Sequence, residues 1–390
     1  METSVQIPHD RLWATGKFDG MIAMKGQMPK LPRNLPFTYE HLRLSPSSLG
    51  ILGRLPPELI LLVVAQMDLL SIVRFSRVSI QANGYVRSCH EYRDILRFVP
   101  DAVKALRRLG IHGQHTVANL YDVLRAEECA ICGEAGPFLF LPTCQRCCNG
   151  CRKQYPSLRL MDRADAKKYC GLTKEQADSL PTVHVRKAMV HDNGQAWWGE
   201  LPIHGRAVAA QAARNLGLAV HGSEAQAEQA VLRGCAGEKA RDYARFWTGA
   251  HRGRPRPDWY RDGDDDGGVS LSSLRGGLWD KRVTLCAYST MATMPFPVLT
   301  RDGTLEHARW CLGCQRTNNA FRNWRNHHFT TLSAATEASM RASIPPEYRG
   351  QEYRPSKVLF GLTQRAWSRE GFAQHVRDCP GAQRLLEERS

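Results

Sequence analysis

The sequence predicts a mainly α-helical protein in which small modules are held together by metal ions. Three observations lead to this prediction. Residues 52–98 form an apolar block with helical spacing, six of the 13 cysteines fall between Cys129 and Cys151, and 32 glycines and 21 prolines interrupt the apolar segments. Because a chain of 390 residues exceeds the size of one small core, we expect two or three domains joined by linkers.

The composition disfavours secreted and membrane proteins. A hydrophobic content of 43% is typical of a globular chain, and the longest apolar run, Leu59–Ala65, is far shorter than the ~18 residues of a membrane span. The first residues include Asp10 and Asp19 and lack the apolar core of a secretory signal. We therefore expect a cytoplasmic or nuclear protein without membrane contact, whose cysteines stay reduced.

The formal net charge is +15, from 53 basic and 38 acidic residues. This charge would allow attraction to nucleic acid or to acidic protein surfaces. The basic residues are scattered, apart from local runs such as Arg252–Arg256. A solvated basic surface is therefore the preferred interpretation, and nucleic acid is the less favoured partner.

Changes in composition along the chain predict five segments. The first is a disordered, proline-containing tail, and the fourth is an Ala-rich and flexible insertion that includes His251–Gly268. The others are two helical segments and a C-terminal module. The predicted bounds are 1–48 for the tail, 49–98 and 99–190 for the helical segments, 191–280 for the insertion and 281–390 for the C-terminal module.

The helical segment 49–98 opens with a good helix start at Leu55-Pro56-Pro57-Glu58-Leu59. The prolines suit a first turn, and Glu58 complements the N-terminal dipole. The residues from Leu59 to Met67 are apolar almost all round, so this helix must be covered on more than one side. A second helix is predicted over Leu69–Val78. A block of this size is marginal as an isolated core, so we expect a partner protein to complete the burial.

Further elements follow from helical spacing and turn residues. Residues 101–126 predict one or two helices, and Met161–Leu180 predicts a helical stretch broken at Gly171, with Thr173 as an N-cap. Ala207–Ala244 predicts a helix or a helical pair. Phe138–Leu141 predicts a short apolar strand inside the first cysteine cluster.

The first cysteine cluster has metal-ligand spacing. A C-x2-C turn places two thiolates on one metal, and a second such turn closes a tetrahedral site. Two pairings are possible, because either Cys144 with Cys147 or Cys148 with Cys151 could close it. We prefer the second pairing and predict a zinc site formed by Cys129, Cys132, Cys148 and Cys151, with Cys144 as the substitute ligand. Thiols without metal are the alternative, and a catalytic thiol is disfavoured because the cluster contains no histidine.

A second set of ligand-type residues lies in the C-terminal segment. Cys311 and Cys314 form another C-x2-C turn, and His375 and Cys379 are four residues apart, so both would project from one face of a helix over Gly371–Asp378. His327 and His328 are the rival ligands, and unconnected thiols are the alternative. Four protein ligands leave no open position on either metal, and the sequence contains no phosphate loop, H-E-x2-H helix or nucleophile elbow. We therefore expect two structural zinc sites and no enzymatic activity.

Residues 55–79 resemble an F-box. The resemblance rests on Leu55-Pro56-Pro57-Glu58-Leu59, on Met67-Asp68-Leu69-Leu70, and on Val73-Arg74-Phe75-Ser76-Arg77-Val78-Ser79. The order of motifs further on is similar to a group of fungal F-box proteins, with a C-x2-C, then Leu141-Pro142-Thr143-Cys144-Gln145-Arg146-Cys147-Cys148, and finally Trp310-Cys311 and His375-Val376-Arg377-Asp378-Cys379-Pro380. This likeness covers about residues 49–190 and 281–385.

The resemblance implies a function for the apolar helix. The chain would dock on the adaptor of an SCF-type (cullin-RING) ubiquitin ligase, and through it on a cullin, while the zinc-organised remainder recruits an unknown protein substrate. The residues expected to contact the adaptor are Leu55, Pro56, Glu58, Leu59, Ile60, Val63 and Met67. Two alternatives stay open: a zinc-dependent nucleic-acid-binding protein, and an F-box scaffold that acts outside the ligase.

Overall fold

We describe a computed structural model of the chain. It describes residues 49–154, 158, 160–161, 163–185, 190–192, 195–197, 205–233, 292–328, 334–348 and 355–388. The tail predicted over residues 1–48 and the flexible segment predicted over residues 251–268 lie outside these ranges. The described part is mainly helical, as the sequence predicts, with short antiparallel strands between the helices.

The first described segment is a run of short helices. A 3-10 turn at Gly50–Arg54 precedes α1 (Pro57–Ala65), α2 (Leu69–Phe75), α3 (Ile80–Ser88) and α4 (His90–Phe98). As predicted, α1 begins with a proline in its first turn and has Glu58 at its N-terminus. The second helix ends at Phe75 rather than at the expected Val78, because the chain turns through residues 76–78.

Side-chain caps set the starts of these helices. The carboxylate of Asp68 accepts the backbone N–H groups of Leu70 and Ser71 at 2.8 and 2.9 Å, which satisfies two free donors of α2. The Ser79 hydroxyl does the same for the Ala82 N–H of α3 at 3.0 Å. These polar residues therefore fix where each turn of the chain gives way to a helix.

Two further helices close the core of this segment. These are α5 (Pro100–Arg108) and α6 (Val117–Arg125), which agree with the one or two helices expected over residues 101–126. The Val117 N–H donates to the Met67 carbonyl at 2.9 Å and so ties α6 to the turn after α1. Buried residues from α1 to α6 share one apolar cluster that continues into the first cysteine region. The helices thus share one core with the cysteine region that follows.

The first cysteine region is built on a small sheet. Strand β1 (Phe138–Phe140) confirms the predicted apolar strand and lies between β2 (Gln145–Cys147) and β8 (Thr293–Pro295), both antiparallel to it. Helix α7 (Asn149–Gln154) follows β2. Strand β8 comes from the C-terminal part of the chain, so this sheet joins residues on both sides of the expected boundary at residue 281.

A second antiparallel sheet lies in the central part of the chain. Its strands are β3 (Leu160–Met161), β7 (Gly205–Ala209) and β4 (Thr182–Val185), in that order, and a separate hairpin consists of β5 (Val190–Asp192) and β6 (Gln195–Trp197). Since β7 pairs with β3 and β4 on either side, this sheet joins residues on both sides of the expected boundary at residue 190. Local composition could not show this pairing, because it joins residues that are distant in sequence.

The helices of this central part pack on the sheet. They are α8 (Arg163–Cys170), α9 (Lys174–Ser179), α10 (Ala210–His221) and α11 (Glu224–Arg233). Thr173 caps α9 in a capping box with Gln176, which confirms the predicted N-cap. Helices α10 and α11 form the helical pair expected after Ala207, while residues 234–244 lie outside the described ranges. The buried side chains of these helices form an apolar cluster together with Met161 and Val208 of the sheet.

The C-terminal part has its own helical core. After the hairpin of β9 (Val298–Leu299) and β10 (Leu305–Glu306), the chain forms α12 (Leu312–His328), α13 (Ala334–Ala342), α14 (Pro355–Gln364), α15 (Arg369–Asp378) and α16 (Pro380–Glu387). Helix α15 covers the residues predicted to carry His375. The apolar side chains of this region cluster around the second set of cysteines. In the part of the chain described here, no helix combines the length and apolar character needed to cross a bilayer.

Candidate metal centres and an exposed apolar helix

The structure brings together the four cysteines predicted for the first site. The sulfur atoms of Cys129, Cys132, Cys148 and Cys151, hereafter the first metal centre, all lie within 4.8 Å of one another. The Cys132 and Cys148 sulfurs are 3.7 Å apart and form no disulfide. Two sulfurs on one tetrahedral Zn²⁺, each bonded at about 2.3 Å, would be separated by about 3.8 Å. The spacing therefore fits a metal-bound set.

Tight backbone turns position these ligands. Gly133 follows Cys132 with a φ of 75°, a conformation that glycine adopts without strain. At Gly136 a Cβ atom would lie 2.9 Å from the Cys129 backbone nitrogen. Only glycine therefore allows the backbone at residue 136 to approach the backbone at residue 129. On the other side, the Cys151 N–H donates to the Cys148 sulfur at 3.3 Å. Both C-x2-C segments thus present their sulfurs to one point.

Cys144 and Cys147 lie outside this group. Cys144 is buried in a left-handed backbone conformation with a φ of 50°, and burial raises the pKa of its thiol to about 12. Burial also raises the pKa of the Cys147 thiol. Neither sulfur belongs to the group of four that lie within 4.8 Å of one another, so the geometry favours the pairing with Cys148 and Cys151 over the alternative.

The second predicted set also converges, and all four of its residues are buried. The ligand atoms of Cys311, Cys314, His375 and Cys379, hereafter the second metal centre, lie within 4.8 Å of one another. The Cys379 sulfur is 3.8 Å from that of Cys311 and 3.5 Å from that of Cys314, and the His375 Nε2 is 3.3 Å from the Cys314 sulfur. These distances match the edges of a tetrahedron formed by three sulfurs and one imidazole nitrogen.

The elements that hold the second centre are α12, α15 and α16. Cys311 precedes α12 and Cys314 lies in its first turn, where the Cys314 N–H donates to the Cys311 sulfur at 3.4 Å. Ser368 caps α15 by accepting the Gly371 N–H at 3.1 Å, so that one face of α15 carries His375 towards the sulfurs. The rival ligands His327 and His328 lie at the far end of α12.

An aromatic side chain that sequence reasoning missed orients the histidine. The Trp367 ring stacks on the His375 ring with centroids 4.2 Å apart and an angle of 19° between the planes. The Arg365 guanidinium lies 4.3 Å from the centroid of the Trp367 ring, in a cation–π arrangement. Only the position of a tryptophan shortly before the Cys/His helix could have suggested this role.

The thiols inside each set shift one another's pKa. Hydrogen bonds from Cys132, and then from Cys148 and Cys151, lower the pKa of the Cys129 thiol. Hydrogen bonds from Cys311 and Cys314 likewise lower the pKa of Cys379. Each set therefore favours at least one thiolate, and a divalent cation would offset the charge of several. Four N/S ligands without a carboxylate are the donor set that structural Zn²⁺ prefers.

A third feature is an apolar surface on α1. Leu59, Leu62 and Val63 are 45%, 61% and 42% exposed, and they adjoin exposed Leu52 and Leu55. Of the other residues expected to contact a partner, Pro56 and Glu58 are exposed and Met67 is half-buried against the core.

Ile60 departs from the expectation of partner contact. It is only 3% exposed, because it shares the inner face of α1 with Val64 and packs into the core of the chain. The helix is therefore covered by its own chain on one face and left open on the other. The all-round apolar pattern could not tell which residues belong to which face.

Comparison with known proteins supports the interpretation of this segment. The F-box domain family matches residues 52–94, which span α1 to α3 and part of α4. The chain matches no curated protein and no solved structure. F-box domains bind the adaptor of SCF-type ubiquitin ligases and through it a cullin, and proteins that carry them are typically non-catalytic. The chain therefore carries an F-box domain, and two cysteine groups compatible with zinc-binding modules follow it.

Proposed function

We propose that this chain is a non-catalytic, substrate-recruiting subunit of an SCF-type ubiquitin ligase. The observation that carries the proposal is the exposed row of Leu59, Leu62 and Val63 on α1, inside the residues that match the F-box. Monomeric proteins rarely leave several large apolar side chains together in water. The outer face of α1, with Leu52 and Leu55 beside it, is therefore the adaptor-docking surface.

The residues proposed to contact the adaptor are those on the outer face. They include Leu59, Leu62 and Val63, with Leu55, Pro56 and Glu58 at the start of the helix and Met67 at its end. Ile60 supports them from the inner face, where it packs on the core of the chain. Burying one exposed leucine side chain contributes about 1.5–3 kcal/mol, so a few such contacts suffice for a stable complex.

The two metal centres serve as structural zinc sites in this proposal. Each offers four sulfur or nitrogen ligands, which would hold Zn²⁺ and leave no position for a reactive water. The bound metal would supply folding energy to the turns and helices that carry its ligands. The region that they organise presents the surface that recruits the protein substrate.

Co-purification with the adaptor tests the docking surface. Wild-type chain should capture purified adaptor, whereas Leu59→Asp and Leu62→Asp should lose capture because a carboxylate would be buried in an apolar contact. Val220→Asp is the matched control, since Val220 is also exposed, at 42%, but lies on α10 outside the F-box. If the wild-type chain captures no adaptor, or the α1 variants capture it as well as Val220→Asp does, the proposal is wrong.

A further inference from the structure

A chain of contacts leads from the first metal centre to the second. It begins at Glu134, whose backbone belongs to the first C-x2-C turn. The Glu134 carbonyl accepts the Cys129 N–H at 2.6 Å, and the Glu134 N–H hydrogen-bonds the Cys132 sulfur. The position of Glu134 therefore depends on how this turn is held, which is what a metal on Cys129 and Cys132 would determine.

The Glu134 side chain reaches into the C-terminal region. Its carboxylate lies 3.4 Å from the Arg365 guanidinium, and the two side chains are only 29% and 22% exposed. The same guanidinium donates to the Tyr348 hydroxyl and lies over the Trp367 ring. Partial burial reduces solvent screening of this pair, so Glu134 holds the Arg365 side chain in one position.

The last contacts reach a ligand of the second centre. Trp367 contacts both the Arg365 guanidinium and the His375 ring, on which it stacks. Its backbone is fixed by two hydrogen bonds with Arg309, of 2.9 and 3.1 Å. Among the described residues, the buried His375 Nδ1 has no hydrogen-bond partner. The stacked indole therefore takes the orienting role that a hydrogen bond to this nitrogen usually has in metal sites.

A parallel contact supports the same connection. Asn149, between Cys148 and Cys151, donates from its side chain to the Gln364 side chain at 3.0 Å, and both residues are buried. Gln364 precedes Arg365 at the end of α14. The segment that carries Arg365 and Trp367 is thus attached to both C-x2-C turns of the first centre.

We propose that Arg365 couples the two metal centres, so that Zn²⁺ bound at the first centre raises the Zn²⁺ affinity of the second. Metal at the first centre orders Glu134, Glu134 holds Arg365 over Trp367, and Trp367 sets the His375 ring towards Cys314. Because such coupling is reciprocal, metal at the second centre strengthens the first by the same factor. Arg365 and Trp367 are positioning residues here. The inference rests on the zinc binding proposed above.

The coupling can be measured on the full-length chain by chelator competition. The affinity of the second centre is determined with the first centre intact and with it disabled by Cys132→Ser. Co²⁺ serves as a coloured probe that distinguishes ligation by four thiolates from ligation by three thiolates and an imidazole. We expect the affinity to fall about tenfold when the first centre is disabled, the lower end of the usual effect of groups that orient ligands. The ratio of the two affinities, first centre intact over first centre disabled, should be clearly smaller in Arg365→Met than in wild type, because only the Asn149–Gln364 contact then remains.

Two variants separate coupling from general damage to the fold. Arg365→Lys keeps a cation over the ring and should retain part of the tenfold ratio. Arg369→Met removes the exposed ion pair with Glu306 at the start of α15 and should retain all of it. If Cys132→Ser does not fold, Glu134→Gln with both centres intact should speed zinc loss from the second centre about tenfold.

The outcomes distinguish this inference from the proposed function. A wild-type chain that binds fewer than two zinc ions refutes the zinc sites themselves. If the chain binds two zinc ions but the affinity ratio is the same in wild type and Arg365→Met, the coupling alone is refuted. An unchanged rate of zinc loss from the second centre in Glu134→Gln refutes it as well. An affinity ratio that Arg365→Lys retains in part and Arg365→Met lowers further supports the coupling.

Discussion

Gly313 and Gly381 bring the backbones of α12 and α16 into direct contact beside the second metal centre. A Cβ atom on Gly381 would lie 2.5 Å from the Gly313 carbonyl oxygen, and one on Gly313 would lie 2.6 Å from the Ala382 Cα. Real Cβ atoms do not approach backbone atoms so closely. The turn that carries Cys311 and Cys314 is therefore seated against the residues that follow Cys379.

The Gly313→Ala substitution should open this contact and weaken the second centre. The added methyl group must push the two helices apart, which costs typically 1–3 kcal/mol and separates Cys314 from Cys379. We expect a lower melting temperature and about one zinc ion per chain instead of two, measured by thermal unfolding and metal analysis. Gly84→Ala is the control, because nothing lies within 4 Å of a Cβ there and it should keep both zinc ions. Equal behaviour of the two variants would contradict this packing role.

The sequence predicts those features that depend on local spacing. The C-x2-C turns and the His375 to Cys379 spacing are local, and the structure brings these residues together as predicted. The start of α1 and the Thr173 cap are also local, since they depend on groups within one helical turn. Such elements could be predicted because the residues that determine them are neighbours in the chain.

Features that depend on distant contacts could not be predicted. Strand β8 pairs with β1 across about 150 residues, and no local pattern indicates that partner. The stacking of Trp367 on His375 needs a bend between α14 and α15 that composition does not reveal. The burial of Ile60 beside exposed Leu59 likewise depends on which face of α1 meets α3, which an all-round apolar helix leaves open.

Arg146 should be among the most sensitive residues of the fold. Its buried guanidinium donates to the carbonyls of Val123 and Gly136 at 2.8 Å and of Phe296 at 3.0 Å, and it also bonds the Pro297 carbonyl. It thereby joins the end of α6, the first cysteine turn and the segment after β8. Burial lowers the pKa of Arg146 to about 10, so it stays charged at neutral pH.

The Arg146→Met substitution tests this role. It removes the donors and leaves several buried carbonyls unpaired, which should destabilise the chain by about 3–5 kcal/mol. Denaturant unfolding measures the loss. Arg163→Met, which breaks a half-exposed ion pair with Asp178, should change the free energy of unfolding by less than about 1 kcal/mol. A similar small change in Arg146→Met would show that these hydrogen bonds are weak.

The zinc content of cysteine variants should separate ligands from buried thiols. Wild-type chain should bind two zinc ions, and Cys132→Ser should bind one because a four-ligand site loses a thiolate. Cys144→Ala should keep both, since Cys144 lies outside either group. Metal analysis after gel filtration gives the count. If Cys144→Ala loses a zinc ion, the alternative pairing, in which Cys144 and Cys147 close the site begun by Cys129 and Cys132, is the true one.

His115 should make part of the stability depend on pH. Its Nε2 lies 2.8 Å from the Leu141 carbonyl, and burial lowers its pKa below the ordinary 6.5 despite hydrogen bonds to the backbone. Because the unfolded chain then binds a proton more readily than the folded chain, the contribution of neutral His115 to stability is complete above about pH 6.5 and is lost as the pH falls towards the lowered pKa.

The His115→Gln substitution tests this pH dependence, because glutamine keeps a donor for the Leu141 carbonyl but cannot titrate. The difference in the free energy of unfolding between wild type and variant, followed from pH 8 to pH 5, should therefore shift in favour of the variant below about pH 6.5. His112, whose pKa is also lowered by burial and by Arg107, is present in both proteins and cancels in this difference. A difference that stays constant over the range would show that His115 is not held neutral by the fold.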